Sequence, residues 1–493
     1  MAQVDGLRVC WGVRRGKRLV CGEPVTDEAV IEEVKRLVEE LRRRVERHRD
    51  KLGTAVFIEE LIDLLERWLE EHKEDKGKRV KEAKKIARKM IKLLRKLRRK
   101  WVERYWRQLL ELMDLLEKNA IDVIVTRGNS DNKSLAIHLY SKDAVVRIAK
   151  VAKSGGITII LTLKGLEGSD VMVDNTFSDK KVLETCRYGF EMTDGSYTSN
   201  YPSMGTTQPW QAVLWSLCYP GEVRMRIVGI DINEDGASIR WFLIAKDYEA
   251  KPKEEVAKEV KKLGTERLKA FLAPAIWGDG HINANKKSIR LIMGLAKYDL
   301  WLGTIERLIN ELGFAGPYSN EYKVEVRIKS SKAVKLARDW LAVPDLREII
   351  ELGAGLPGGE KFKRIIELAN MKVREKGGSS VNIPGTDISM SISIDSHCRV
   401  NLRAWRKDEN EALSLVEELR KAGYNPSMYV CSKGHIISIN HTNIRDSPLR
   451  EPVCQKLSKW LNEISDEKRR KKIAKAMRSL KCLDKAQPAQ PTG

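Results

Sequence analysis

No stretch of the chain approaches a membrane span: the most apolar, Ile157 to Leu163, is far shorter than the roughly 20 residues a bilayer-crossing helix needs. The first residues carry Arg14, Arg15, Lys17 and Arg18 but no apolar core, so no secretory signal is expected. Cysteines are few and scattered, at positions 10, 21, 186, 218, 398, 431, 454 and 482, and no pair has the C-x-x-C spacing of a zinc ribbon or redox site. Cys431, His435, His441 and Cys454 are close in sequence, yet their spacing matches no common zinc module. Reduced, mostly buried thiols in a cytoplasmic protein are therefore expected. Also missing are a P-loop, a dinucleotide-binding fingerprint and a serine-hydrolase elbow, which argues against an ATPase or an enzyme with a small-molecule substrate.

The remaining shortage is of acids. Lys+Arg number 91 against 69 Asp+Glu, a formal net charge of +22, and such an excess attracts polyanions. With no membrane segment expected, nucleic acid is the favoured partner. Many Glu, Lys and Arg beside few Gln also suit a thermophile.

A length of 493 residues predicts about three or more domains. Residues 1–118 are expected to form a basic helical region, with Leu37, Leu41 and Val45, then Leu61, Leu64, Leu65 and Leu69, at helical spacing. Between Lys76 and Arg107 stand sixteen Lys or Arg and only two acids, while Ile86, Met90, Leu93, Leu97, Trp101 and Tyr105 keep one apolar face. That pattern fits a phosphate-contacting arm, a solvated hairpin helix or, less well, a helix on an anionic membrane surface. Residues 119–178 suggest a small α/β unit, with strands at Ile121–Val125, Leu135–Tyr140 and Ile157–Leu163 and a helix from Ala144 to Lys153. A C-terminal α/β unit over 344–465 has a similar order (strand Val400–Trp405, helix Glu409–Ala422, strands Ser427–Val430 and His435–Asn440), so the two flanks could be diverged β-α-β-β copies. Residues 466–493 are expected to form a basic tail.

Between Asp179 and Leu341 two segments match. Lys181–Gly195 (KVLETCRYGFEMTDG) and Thr265–Gly280 (TERLKAFLAPAIWGDG) are each an apolar helix ending in Asp-Gly. The first precedes an extended stretch Ser196–Gln208, a helix from Pro209 to Leu217, strands Val223–Asp231 and Ser238–Lys246, and a helix Pro252–Leu263. The second precedes a strand Ile289–Leu295, a helix Leu300–Leu312, a turn Gly316–Asn320, a strand Tyr322–Lys329 and a helix Ser331–Leu341. This repeat resembles the LAGLIDADG homing endonucleases. Leu272 to Gly280 keeps the first two and last two letters of that motif, and Arg187 to Gly195 keeps Gly189, Asp194 and Gly195. Arg187 and Pro274 depart from the pattern, and Pro274 should kink its helix or lie in the first turn. More loosely, the whole chain resembles uncharacterised repeat-family proteins of hyperthermophilic crenarchaea (the PaRep type).

The resemblance implies an α+β fold with two αββαββα halves, 179–264 and 265–343, whose motif helices pack together. Small residues Gly189, Ala273 and Gly278 permit close approach, and Gly195 and Gly280 turn the chain out of each helix. Asp194 and Asp279 would then meet at two helix C-termini, where a Mg²⁺ ion could join them and support phosphodiester hydrolysis. By element count Lys246 and Lys329 occupy the places of the family's assisting basic residues. Strand alternation aims Arg224, Arg226, Arg240, Arg290, Lys323 and Arg327 away from the apolar face, toward double-stranded DNA or structured RNA. Three functions stay open: a monomeric site-specific DNA endonuclease, a non-cleaving binder of the maturase or regulator kind, and a structural protein whose basic helices do the work.

Overall fold

The computed structural model describes residues 3–4, 7–16, 18–127, 135–150, 156–372, 380–432, 434–464 and 466–482. The fold is α+β, and the chain divides into two compact units, Met1–Met371 and Lys372–Gly493.

The first unit begins with strands, not helices. β1 (Gln3–Val4), β2 (Leu7–Arg15) and β3 (Arg18–Pro24) precede α1 (Glu28–Arg47), α2 (Arg49–Gly53), α3 (Val56–Glu71), α4 (Lys78–Lys100) and α5 (Trp106–Glu117). Asp27 starts α1 by accepting hydrogen bonds from the Ala29 and Val30 amides. Ile86, Met90, Leu93 and Leu97 on α4 are buried as their spacing predicts, as are Trp101 and Tyr105 in the π-helical turn joining α4 to α5. Part of the cationic surface of this stretch is answered within the protein. Arg79 pairs with Asp345, Arg95 with Glu66, Arg98 with Glu59 and Arg104 with Asp143, and the Lys84 ammonium donates to the Lys73 and Asp75 carbonyls. The helix is therefore built into the scaffold, which weighs against a detachable arm.

β4 (Asp122–Arg127), β5 (Leu135–Tyr140), β6 (Ala144–Lys150), β7 (Ile157–Leu163) and β8 (Ser169–Val173) follow. Here the expectation of a helix from Ala144 fails. Val145, Val146 and Ile148 suit a strand, and β6 pairs along its length with both β5 and β7; the expected continuation to Lys153 lies outside the described residues. Without that helix, the two flanks do not share a β-α-β-β pattern. Nor is 119–178 separate, because β7 and β8 both pair with a strand of the next segment.

That segment runs α6 (Lys180–Met192), β9 (Gly195–Thr198), β10 (Tyr201–Thr206), α7 (Pro209–Cys218), β11 (Gly221–Ile232), β12 (Ala237–Ala245) and α8 (Lys253–Lys262). The next is α9 (Thr265–Asp279), β13 (Gly280–Asn283), β14 (Ser288–Gly294), α10 (Tyr298–Asn310), β15 (Ala315–Ser319), β16 (Lys323–Lys329) and α11 (Ser330–Ala342). Each reads αββαββα. β15 stands where a plain turn was expected, and β13 was not foreseen. The strand orders also match: β9-β10-β12-β11 in one, β13-β14-β16-β15 in the other, all antiparallel. The first sheet continues through β11 into β7, β6, β5, β4, β2 and β1. α12 (Pro344–Gly355) and α13 (Glu360–Asn370) complete this unit, so the C-terminal unit starts later than position 344.

The second unit holds β17 (Ser380–Asn382), β18 (Ser389–Ile394), β19 (Val400–Arg406), α14 (Glu409–Lys421), β20 (Ser427–Cys431), β21 (Gly434–Ile439), α15 (His441–Arg445), α16 (Arg450–Glu463) and α17 (Glu467–Ser479). Its sheet order is β17-β18-β19-β21-β20, and part of the expected tail is the helix α17. The expectation of reduced thiols fails at four cysteines. Antiparallel β2 and β3 bring Cys10 and Cys21 to a Cα separation of 5.5 Å, and Cys454 and Cys482 lie 5.4 Å apart; both pairs are disulfides. The bond to Cys482 also removes Cys454 from any zinc set.

α6 and α9 pack against each other with almost no clearance. A Cβ at Gly189 would lie 2.8 Å from the Phe271 carbonyl oxygen and 2.9 Å from the Pro274 ring. One at Gly278 would lie 2.7 Å from Thr193 Oγ1 and 2.8 Å from Asp194 Oδ2. Pro274 sits well past the first turn of α9, and the helix runs on through it to Asp279. Gly189→Ala should thus destabilise the protein by about 1–3 kcal/mol through forced separation of the helices. Gly264→Ala, where a Cβ meets nothing within 4 Å, should be within about 0.5 kcal/mol of wild type. Chemical denaturation of both variants checks the contrast, and equal losses would refute the close-packing argument.

Candidate functional site

The helix contact brings the C-terminal ends of α6 and α9 together. Asp194 follows α6 and Asp279 closes α9, and the Asp194 carboxylate lies beside Gly278, the residue preceding Asp279. One oxygen of Asp194 accepts a hydrogen bond from the Gln211 amide of α7, whose own carbonyl accepts from Thr206 at 2.6 Å. Glycines at 195 and 280 open the strands that leave the helices, and both fit closely over the preceding turn: a Cβ at Gly195 would be 2.7 Å from Glu191 Cα, and at Gly280 2.6 Å from the Ile276 carbonyl oxygen. Ala273 is fully buried in the same interface.

Three lysines converge on these helix ends. Lys361 Nζ, from α13, donates to the carbonyls of Trp277 at 2.7 Å, Ile276 at 3.3 Å and Gly278 at 3.4 Å. Lys253 Nζ, from the start of α8, donates to the Thr193 carbonyl at 3.1 Å, and Lys297 Nζ reaches the same oxygen at 3.4 Å. These oxygens are among the last of each helix, where unpaired carbonyls and the helix dipole favour a cation. Lys253 and Lys361 are mostly buried, and burial lowers the pKa of each to about 8. Asp194 and Asp279 act in the opposite direction on both, so each ammonium lies in the field of both acids. Neighbouring cations, Lys297 for Lys253 and Arg364 for Lys361, lower them further.

The two lysines expected to assist stand at the ends of β12 and β16. Lys246 is held in an ion pair with Glu222 and stands 3.6 Å from Asp170. Lys329 is exposed at the end of β16. Arg187, out of keeping with its motif, donates to the Cys218 carbonyl at 2.7 Å and packs its guanidinium 4.1 Å from the centre of the Tyr248 ring. Sequence reasoning missed Lys253, Lys297, Lys361 and Gln211, which come from separate elements. Only the helix start at Lys253, just after Pro252, hinted at any of them.

The six basic positions on the sheets do point away from the apolar face. Val223, Met225 and Ile227 on β11 and Ile289, Leu291 and Met293 on β14 are buried, while Arg224, Arg226 and Arg290 alternate with them. Several, however, already have acid or aromatic partners. Arg240 forms a bidentate pair with Asp231 at 2.8 and 2.6 Å; Arg290 is 3.5 Å from Glu325, and Arg224 is 3.9 Å from Asp170. Arg226 lies over Phe242 and Arg327 over Tyr318, at 5.6 and 4.0 Å from the ring centres. Lys323 and Lys329 are exposed. Arg290 and Arg327 are register partners across β14 and β16.

No protein-family model matches the chain, and no curated protein matches it. Among solved structures, the full-length DUF199/WhiA from Thermatoga maritima is similar to it, at 11% identity over 62% of this chain and 92% of that one, with a TM-score of 0.23. A likeness at that level carries no weight for fold or function.

The lysines make stability depend on pH. Their folded pKa values of about 8 lie below the ordinary 10.5, so between those values the unfolded chain binds more protons. Stability contributed by these groups should therefore rise with pH across that window, the burial cost being fully present below about pH 8. Denaturation midpoints of wild type and a Lys253→Met/Lys361→Met double variant, compared at about pH 7.5 and 9.5, check this. The variant should gain less on going alkaline, and identical gains would count against the assignment.

Proposed function

We propose that residues 179–343 are a LAGLIDADG-type nucleic-acid-binding core that holds duplex DNA across its two sheets, as a monomer, without cutting it. One observation carries the non-cleaving reading: three lysine ammoniums gather on the carbonyls of the two helix ends that carry the acids. A Mg²⁺ ion needs one or two carboxylates and fills its remaining positions with water and phosphate oxygens. The number of carboxylates suits it, but the charge does not. Ammonium groups already stand in the field of both acids and would repel an entering divalent cation. One Asp194 oxygen is also engaged by Gln211. The residues present do not fit Mg²⁺; the acids serve to anchor the lysines, and the lysines cap the helices.

Binding would rest on the outward face of the strands. Exposed Lys323 and Lys329 can meet phosphate directly, whereas Arg240 must first leave Asp231. A second reading, a metal-dependent site-specific endonuclease, draws on the acid that ends each motif and the packing that joins them.

Supercoiled DNA incubated with the protein and Mg²⁺ distinguishes the two. The proposal predicts a shifted but intact plasmid with wild type and Asp279→Asn alike. Nicking by wild type that Asp279→Asn abolishes would establish the endonuclease instead. Salt titrations with a short duplex test the binding face: Lys323→Gln or Lys329→Gln should flatten the log–log slope by about 0.9 per lost phosphate contact, while Arg240→Gln should change it less. Competition by a structured RNA stronger than by duplex DNA would reassign the partner.

A further inference from the structure

Among the described residues, the helices of the second unit pack on one side of its sheet. Met390, Ile392, Val400, Leu402, Ala404, Ile437 and Ile439 face that side and form one core with Leu415 and Leu419 of α14, Val453 and Leu457 of α16, and Ile473 and Met477 of α17. The opposite face follows from the register. Trp405, Ile436 and Tyr429 share one row across β19, β21 and β20; Ser391, Arg403, Ser438 and Ser427 share the next; Ser393 and Asn401 form a third. Trp405 is 50% exposed and Tyr429 45%, large fractions for aromatic side chains in the body of a sheet. The Trp405 ring passes next to Gly434, where a Cβ would come within 3.2 Å of it.

From this face we infer that the second unit binds single-stranded nucleic acid, with Trp405 and Tyr429 as stacking platforms for two bases and Arg403, one row away on the strand of Trp405, on the phosphate chain. The chemistry selects that occupant. Every outward position named in the three rows is aromatic, hydroxyl, amide, guanidinium or the half-buried Ile436, and none is a carboxylate. A polyanion is therefore not repelled, and Ser391, Ser393, Ser427 and Asn401 supply donors and acceptors for base edges, Ser438 being buried. A protein partner would need an apolar centre wider than one isoleucine between two rings. Trp405 and Tyr429 lie two strands apart, about 10 Å, a spacing suited to splayed bases, while the bases of a duplex are stacked out of reach of a flat sheet. This inference does not rest on the duplex-binding reading of residues 179–343.

The test uses the full-length protein and fluorescence anisotropy with labelled dodecamers of uridylate and of thymidylate, and a duplex of equal length. Wild type should bind the single strands. Trp405→Ala and Tyr429→Ala should each weaken that binding by about tenfold or more, Trp405→Phe should largely restore it, and duplex affinity should not change. Arg403→Gln should flatten the single-strand salt slope by about 0.7. A clear preference for uridylate assigns the ligand to RNA, and equal or better binding of thymidylate assigns it to single-stranded nucleic acid in general. Because both aromatics are exposed, the variants should unfold at the wild-type temperature, which serves as the control. Undiminished single-strand binding in the aromatic variants overturns the inference. So does a parallel loss of duplex binding, or a change confined to the oligomeric state in sedimentation, which would make the face an interface between copies. Wild type that binds single strands but no duplex would contradict the proposal for residues 179–343 alone.

Discussion

The arrangement of the first unit depends on two helices approaching without a Cβ between them. Gly189 faces the Phe271 carbonyl and Pro274 and admits no methyl group without moving the partner helix, while one at Gly278 would displace the Thr193 and Asp194 side chains. Pro274 belongs to this contact: lacking an N–H, it leaves one carbonyl of its own helix without the usual partner, yet its ring fills the space that Gly189 vacates. With the helices locked, the strands after them begin at Gly195 and Gly280, and two sheets of the same order spread to either side.

Close packing of two helix C-termini creates an electrostatic problem. Two carboxylates and two sets of terminal carbonyls concentrate negative potential in a poorly solvated place. The protein answers with ammonium groups from three elements, and burial lowers two of them toward neutrality. The same logic governs the rest of the unit. Arg95, Lys96 and Arg98 of α4 pair with acids of neighbouring segments, and Arg79 is buried against Asp345, which also accepts from the Ser178 and Asp179 amides just ahead of α6. That network ties the basic helix to the entrance of the first motif helix.

Much of this was legible in the sequence. The paired Asp-Gly helix ends, the helices and strands after each, and the inward apolar positions of β11, β14 and β16 all follow from periodicity. The failures have local causes. AVVRIAK satisfies helix and strand alike, and only pairing with two neighbouring strands decides it for β6. GHIN and AGPYS are too short and too rich in turn formers to announce β13 and β15. Cys454 and Cys482 are brought together by the packing of α16 and the end of α17, which no spacing rule anticipates. The lysines around Asp194 and Asp279 stand at positions 253, 297 and 361, and among 91 basic residues nothing in sequence marks them out. Charge excess suggests a partner class; it does not reveal how much of that charge the fold itself consumes.

In the proposed function the acid pair is balanced by lysine and not by a metal ion. A double-mutant cycle between Asp279→Asn and Lys361→Gln, read by chemical denaturation in the presence of a chelator, measures that balance directly. The account predicts that the two groups are coupled by about 1–3 kcal/mol, the double variant being less destabilised than the sum of the single ones. Strict additivity in the chelator, with coupling or stabilisation of the wild type appearing only when Mg²⁺ is added, would contradict it.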